Sequence, residues 1–143
     1  MTTPASTPPV VTMHIWGVRN RAVPGALWRM ATDRSRVRRS HGLRFAKLLG
    51  TGSGETFSLR DADPHHWGLI AVWDDVADAR VFELGSLVTT WDHHCYEKAR
   101  FVLSTIHSRG SWSGREPFGP GAKPPVAGPV AAITRAKIKP SQW

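Results

Sequence analysis

The sequence predicts an α+β domain of ferredoxin-like order, β-α-β-β-α-β, with its helices on one face of the sheet and two copies closing as a dimeric α+β barrel. Three observations carry this: four apolar runs of strand length, two stretches with helical spacing between them, and the order in which they alternate.

The first strand is VVTMHIWGV, Val10 to Val18, bounded by prolines before it and RNRAVPG after it. Pro24 suits a helix start, and Ala26, Leu27, Met30, Ala31 and Val37 then recur near helical spacing to a stop at Ser40 to Gly42. LRFAKLLG, Leu43 to Gly50, alternates as a strand with Leu43, Phe45 and Lys47 on one side, and GTGSGE breaks it. HHWGLIAVW, His65 to Trp73, is almost continuously apolar, as a central strand is. From Val76 to about Arg100 helical spacing returns through Leu84, Val88, Trp91, Cys95 and Ala99, and FVLSTIHS, Phe101 to Ser108, supplies the fourth strand. The domain therefore spans 10–114. Residues 1–9 are expected as a flexible tail and 115–128 as a Pro/Gly-rich linker. Residues 129–143 carry an extra strand from about Val130 to Ile138, which completes this sheet or a partner's, or opens a truncated second repeat.

Composition removes several classes of function. No apolar run reaches the eighteen or so residues needed to cross a bilayer, and the Thr/Pro/Ser-rich start has no signal-like apolar core. Cys95 is the only cysteine, so neither an internal disulfide nor a multi-cysteine metal site can form, as suits a reducing, cytoplasmic setting. The formal net charge of +8 makes anionic partners plausible, and much of it comes from Arg34, Arg36, Arg38 and Arg39. Nucleic acid is not the expected partner, because the sheet lacks the closely spaced aromatic strands on which an RNA binder of this fold stacks bases. No Gly-x-Ser-x-Gly elbow marks an acyl-transfer nucleophile.

The candidate site residues are few. Gly50, Gly52 and Gly54 suggest a phosphate loop, but no helix and no Gly-Lys-Ser/Thr follows, so a loop with unusual backbone angles is the plainer reading. His65-His66 and His93-His94 cannot chelate as adjacent pairs, since strand neighbours face opposite ways and helical neighbours sit about 100° apart. In the row Leu87, Trp91, His94, Lys98, His94 edges the apolar face of the second helix and can reach inward as a single metal-ligating imidazole; His14 and His107 are the alternatives on strands one and four. Arg109, Trp112 and Arg115 combine guanidiniums with an indole in a glycine-rich turn, suited to carboxylates or equally to a packed surface turn.

Two stretches are more distinctive: LRFAKLLGTGSGETF, residues 43–57, and SRGSWSGREPF, residues 108–118. Together they resemble the spheroidene monooxygenase family, with further similarity at VVT, AVW and GPVAAITRAKIKP, so the resemblance runs from Val10 through nearly the whole chain. It departs from the family in the polar TTWDHHCYEK stretch, in the arginine run of the first helix, and in ending where a second repeat would begin. The resemblance implies a haem-dependent monooxygenase that introduces a keto group into an acyclic carotenoid or related lipophilic substrate. It implies dioxygen and an electron donor protein. A homodimer is expected because a sheet with helices on one face leaves the other in need of a cover, and peripheral membrane contact is a further expectation. Lys47, Gly52, Arg109, Trp112 and Arg115 are then the expected cofactor-binding residues; no iron ligand transfers by motif, and His94 is the expected metal ligand from its helical position alone. The competing expectation is a non-catalytic ferredoxin-like module that binds an apolar ligand or dimerises.

Overall fold

A computed structural model describes residues 9–52, 61–119, 121 and 127–134. The strands are β1 (Val10–Gly17), β2 (Leu43–Gly52), β3 (Ala62–Trp73) and β4 (Glu97–Leu103), and the helices α1 (Val23–Arg38), α2 (Val76–Glu83) and α3 (Ser86–His94). The four strands form one antiparallel sheet in the order β2-β3-β1-β4. This is the ferredoxin-like arrangement, in which each helix returns the chain across one face of the sheet. The expected ferredoxin-like order within one chain stands, with two internal corrections.

The first correction is that the second helix is two helices. Leu84 closes α2, and the Gly85 amide donates to the Phe82 carbonyl, which turns the chain before α3 starts at Ser86. The second is that β4 begins at Glu97, so Lys98, Ala99 and Arg100 are strand residues and Lys98 cannot share a helical row with His94. α3 stops when Cys95 turns extended (ψ 154°), and the Tyr96 amide donates to the Gly17 carbonyl, which starts the ladder to β1. Residues 130–134 of the expected extra strand are exposed and irregular, while 135–138 and most of the expected tail lie outside the described residues.

β3 has seven consecutive buried residues, Trp67 to Trp73, because both of its faces are covered. Trp67, Leu69, Ala71 and Trp73 join Trp16, Leu48, Val88 and Trp91 in the core under the helices. Each indole in this core has an acceptor for its N–H: Trp16 donates to Asp92, Trp67 to the Pro64 carbonyl, Trp73 to Thr12 and Trp91 to Asp33. Large rings are thus buried without an unsatisfied donor. Asp33 on α1 is 2% exposed and accepts from both Trp91 (3.1 Å) and Arg36 (3.0 Å), tying α1 to α3.

Replacing Asp33 with Ala strands the buried Trp91 donor and removes the anchor of Arg36. The expected loss is about 2–3 kcal/mol in denaturant unfolding. Trp91→Phe, which removes the donor as well as its need, is expected to soften a subsequent Asp33→Ala change in a double-mutant cycle.

Candidate functional site

The helix-free face of the sheet is read from the pairing, because directly opposed residues of antiparallel strands share a face. Four rows cross it. Phe45, Val72, Val11 and Leu103 form the first, Lys47, Ile70, Met13 and Phe101 the second, Leu49, Gly68, Ile15 and Ala99 the third, and His66, Gly17 and Glu97 the fourth. Rows two residues apart along a strand are about 7 Å apart, so the four span roughly 20 Å.

The first row is roofed by the chain after β4. Trp112 and Phe118 pack on Phe45, with ring centroids 5.6 and 6.4 Å away, in a cluster with Val11, Ile70 and Val72. The motif around Trp112 explains how. Ser113 (φ 55°) and Gly114 (φ 74°) form a two-residue turn with both angles positive, closed by paired backbone hydrogen bonds between Trp112 and Arg115. A hairpin this tight aims Trp112 down onto the sheet. Beyond that roof Met13, Ile15 and Leu49 are half-buried and Phe101 is 45% exposed. Gly68 and Ala99 flank Ile15 with minimal side chains, so the third row is an apolar trough.

The far end of the trough is closed by an ionic cluster. His66 Nδ1 lies 2.5 Å from Asp63 and its Nε2 2.8 Å from Glu97, so the ring bridges two carboxylates across β1. Gly17 makes this possible, because a Cβ there would stand 2.6 Å from the Glu97 side chain. Glu97 first, and then Asp63, raise the His66 pKa above its ordinary value, and His66 in turn lowers both carboxylates. Two carboxylates holding two ring nitrogens require both to be donors, which is the imidazolium form.

The sequence-derived site residues fall on both sides of the sheet. Lys47 and Trp112 come together on the open face, where the Lys47 ammonium sits 5.8 Å from the Phe45 ring centre. Arg115 is exposed on the Trp112 hairpin and Arg109 is exposed before it. Gly52 ends β2 opposite Ala62 with no positive φ; its constraint is the Asp61 carbonyl, 2.8 Å from where a Cβ would stand. The expectation of unusual backbone angles gives way there to close approach. His94 is exposed at the end of α3, in the helix layer, with Nδ1 bonded to the Thr90 carbonyl (2.8 Å), so it does not reach an interior pocket. His107 is exposed in the irregular chain beyond β4 rather than on a strand. His14 is buried under the helices, stacked on Trp16, with no hydrogen bond to either ring nitrogen. Glu83 lies 3.5 Å from His14 Nε2 but is paired with Arg100, and burial, then Arg100, holds the His14 pKa down at about 4. Cys95 donates its thiol to the Asp92 carbonyl, and burial raises its pKa, which makes it a packing residue.

A haem site needs an imidazole with a free nitrogen beside an apolar slot, and cations in reach of the propionates. The described residues divide these requirements. His94 lies on the helix side, Lys47 and Trp112 lie on the open side, and the open side's own His66 has both nitrogens engaged. They do not form one haem site, and no group of three or more metal-ligating side chains occurs among the described residues. A cavity of about 380 Å³ lined by Arg36, His41, Asp78 and Phe82 is also in the helix layer and holds none of the motif residues. His66 is the residue that sequence reasoning passed over. Extending the alternation Val72, Ile70, Gly68 by one step places it on the open face.

Relatives give this face its context. The chain is 41% identical to the spheroidene monooxygenase of Rubrivivax gelatinosus over 102 residues, 71% of this chain and 39% of that protein. It is 34% identical to that of Rhodobacter capsulatus over 122 residues, 83% of this chain and 50% of that protein. The chain belongs to the spheroidene monooxygenase family. It spans half the length or less of these two relatives. No protein-family model matches it. Among solved structures it is similar to PA3566 from Pseudomonas aeruginosa (TM-score 0.55, 11% identity, 69% of this chain and 95% of that one). An antibiotic biosynthesis monooxygenase is similarly close (0.53, 14%, 68% and 99%), as is SnoaB, a cofactor-independent oxygenase from Streptomyces nogalater (0.50, 14%, 71% and 97%). These likenesses establish the shared fold.

The buried and the bridging histidines set opposite limbs of a pH profile. His14 has a folded pKa below its unfolded value of about 6.5, so its neutral burial is stabilising above that value and is lost as pH falls toward 4. The His66 pKa is raised, so the bridge contributes fully below about 6.5 and is lost as pH rises through the folded value. Melting temperature measured from pH 4 to 9 is expected to decline less steeply on the alkaline side in His66→Gln and less steeply on the acid side in His14→Phe. Gly52→Val is expected to cost about 1–3 kcal/mol by driving its side chain into the Asp61 carbonyl, read as a lowered denaturation midpoint.

Proposed function

We propose that the chain acts as an oxygenase on an acyclic carotenoid or a similar long apolar molecule, introducing a keto group, and that the helix-free face of the sheet holds the substrate. The observation that carries this reading is the trough of Met13, Ile15, Leu49, Gly68 and Phe101, apolar except for Lys47 at its β2 edge and closed at its ends by Trp112 and by His66. A polyene offers no hydrogen-bonding groups along its chain, and a floor whose polar side chains stand at its edge and ends matches it. The named relatives, all spheroidene monooxygenases, support the substrate class.

The chemistry sets what else is required. Inserting one atom of dioxygen and releasing the other as water consumes two electrons and two protons. A methylene becomes a ketone through two such insertions and loss of water from the resulting diol. An electron donor therefore belongs to the proposal. So does a second copy of the chain, because half-exposed Met13, Ile15 and Phe101 need cover that a facing sheet supplies while enclosing the ligand. Haem enters through the family resemblance alone, since the described residues do not build a site for it; a cofactor-independent oxygenase is the second reading, favoured by that lack of fit.

Cells that make an acyclic carotenoid, with and without the chain, are expected to differ by a new keto-carotenoid in pigment extracts. No new product would reduce the chain to the binding module. Reconstitution with haem separates the two oxygenase readings: a Soret band at fixed stoichiometry retains the cofactor, and product formation without one retains the cofactor-independent route. Light scattering at micromolar concentration is expected to give twice the chain mass.

A further inference from the structure

The outer face of α1 is divided along its axis rather than around it. Leu27, Ala31, Arg34 and Arg38 follow one another at steps of three and four, with Pro24, Trp28 and Ser35 beside them, so these residues form one exposed stripe. Its N-terminal half is apolar. Trp28 is 71% exposed and Leu27 54%, although Trp16, Trp73 and Trp91 are almost completely buried. Its C-terminal half is cationic and carries no compensating charge. Asp33 is the only acidic residue of α1, and it is buried and taken up by Arg36 and Trp91. The ion pairs of arginines among the described residues involve Arg36, Arg44 and Arg100, leaving Arg29, Arg34, Arg38 and Arg39 without a carboxylate.

We infer that this stripe is a membrane-docking surface for an anionic lipid leaflet, with Trp28 and Leu27 entering the boundary between headgroups and acyl chains and Arg34, Arg38 and Arg39 lying on lipid phosphates. The chemistry selects lipid over other polyanions. Arginines alone would serve for RNA, but Pro24, Leu27 and Ala31 gain nothing from phosphates or bases, whereas an indole beside aliphatic side chains fits an interfacial layer. Charge complementarity supplies the attraction, in a chain with 19 basic and 11 acidic residues.

The placement is productive for the trough. Arg34 and Arg38 line a shallow concavity with Ala46, Lys47 and Leu48 at the β2 edge, so the cationic half of the stripe adjoins the edge of the open face. A chain docked through α1 holds that edge near the lipid, where an apolar substrate dissolves. This orientation rests on the oxygenase reading; the docking itself does not.

Co-sedimentation with vesicles tests it. Wild type is expected to bind vesicles rich in phosphatidylglycerol more tightly than phosphatidylcholine vesicles, and to be released by high salt. Arg34→Glu and Arg38→Glu are each expected to weaken that binding about fivefold or more. Leu27→Ser with Trp28→Ser is expected to weaken binding to both vesicle types, while Val102→Ser on the β4 edge changes neither. All these positions are exposed, and unchanged melting temperatures verify that the variants fold. The inference is overturned if wild type ignores phosphatidylglycerol vesicles at low salt, if the α1 variants bind as wild type does, or if single-stranded RNA binds more tightly with no response to Trp28→Ser. Activity distinguishes this failure from failure of the oxygenase reading. Vesicle binding without keto product removes only the oxygenase, and keto product with no loss in the α1 variants' vesicle binding removes only the docking surface.

Discussion

β3 buries both of its faces, and the helices of the described residues cover only one of them. Trp67, Leu69, Ala71 and Trp73 point into the helix layer, while Ile70 and Val72 point the other way and are equally buried. A strand apolar on both sides must be covered on both. The rest of the architecture follows from how that second face is handled. The Trp112 hairpin and Phe118 cover one end, the His66 bridge closes the other, and between them a strip of apolar sheet stays partly open. The distinctive motif residues gather around this incomplete cover. Phe45 and Trp112 touch each other, and they come from the two stretches that carry the family resemblance.

The two sides of the sheet treat polar groups differently. On the helix side they are matched one to one, as in the indole donors and the carboxylates of Asp33 and Asp92, so that side is a satisfied core. His14 departs from this, buried and neutral with no hydrogen bond to either ring nitrogen. On the open side the ionised groups stand at the ends of the trough and, as Lys47, at its β2 edge, and the floor between them is apolar. An arrangement of this kind orients a long apolar molecule without specific contacts along its length, leaving selectivity to the ends.

Much of the fold could be read in the sequence because its signals were local. Val10 to Val18 and His65 to Trp73 are dense in β-branched and aromatic residues, and Pro24 opens α1 where expected. What escaped was set by pairing. β4 begins with Glu97, Lys98, Ala99 and Arg100, good helix formers that lie in an edge strand because β1 offers its free edge there. Gly85 was the visible sign of the break between α2 and α3, but the apolar steps through Leu84, Val88 and Trp91 run across it unbroken. That continuity put His94 on a face it does not occupy. The site was legible in part: Lys47 and Trp112 share the open face, whereas the bridge from His66 to Glu97 emerges only once β3 and β4 are held in register on β1.

The central claim is that the helix-free face holds the apolar ligand, and polyene binding followed by induced circular dichroism tests it most directly. Met13→Arg and Ile15→Arg put a charge in the middle of the trough, while Val81→Arg puts one on the exposed side of α2. The account requires the first two variants to lose the induced signal at unchanged melting temperature and the third to keep it. Loss of the signal in Val81→Arg with full retention in both trough variants would place the ligand in the helix layer and contradict the account.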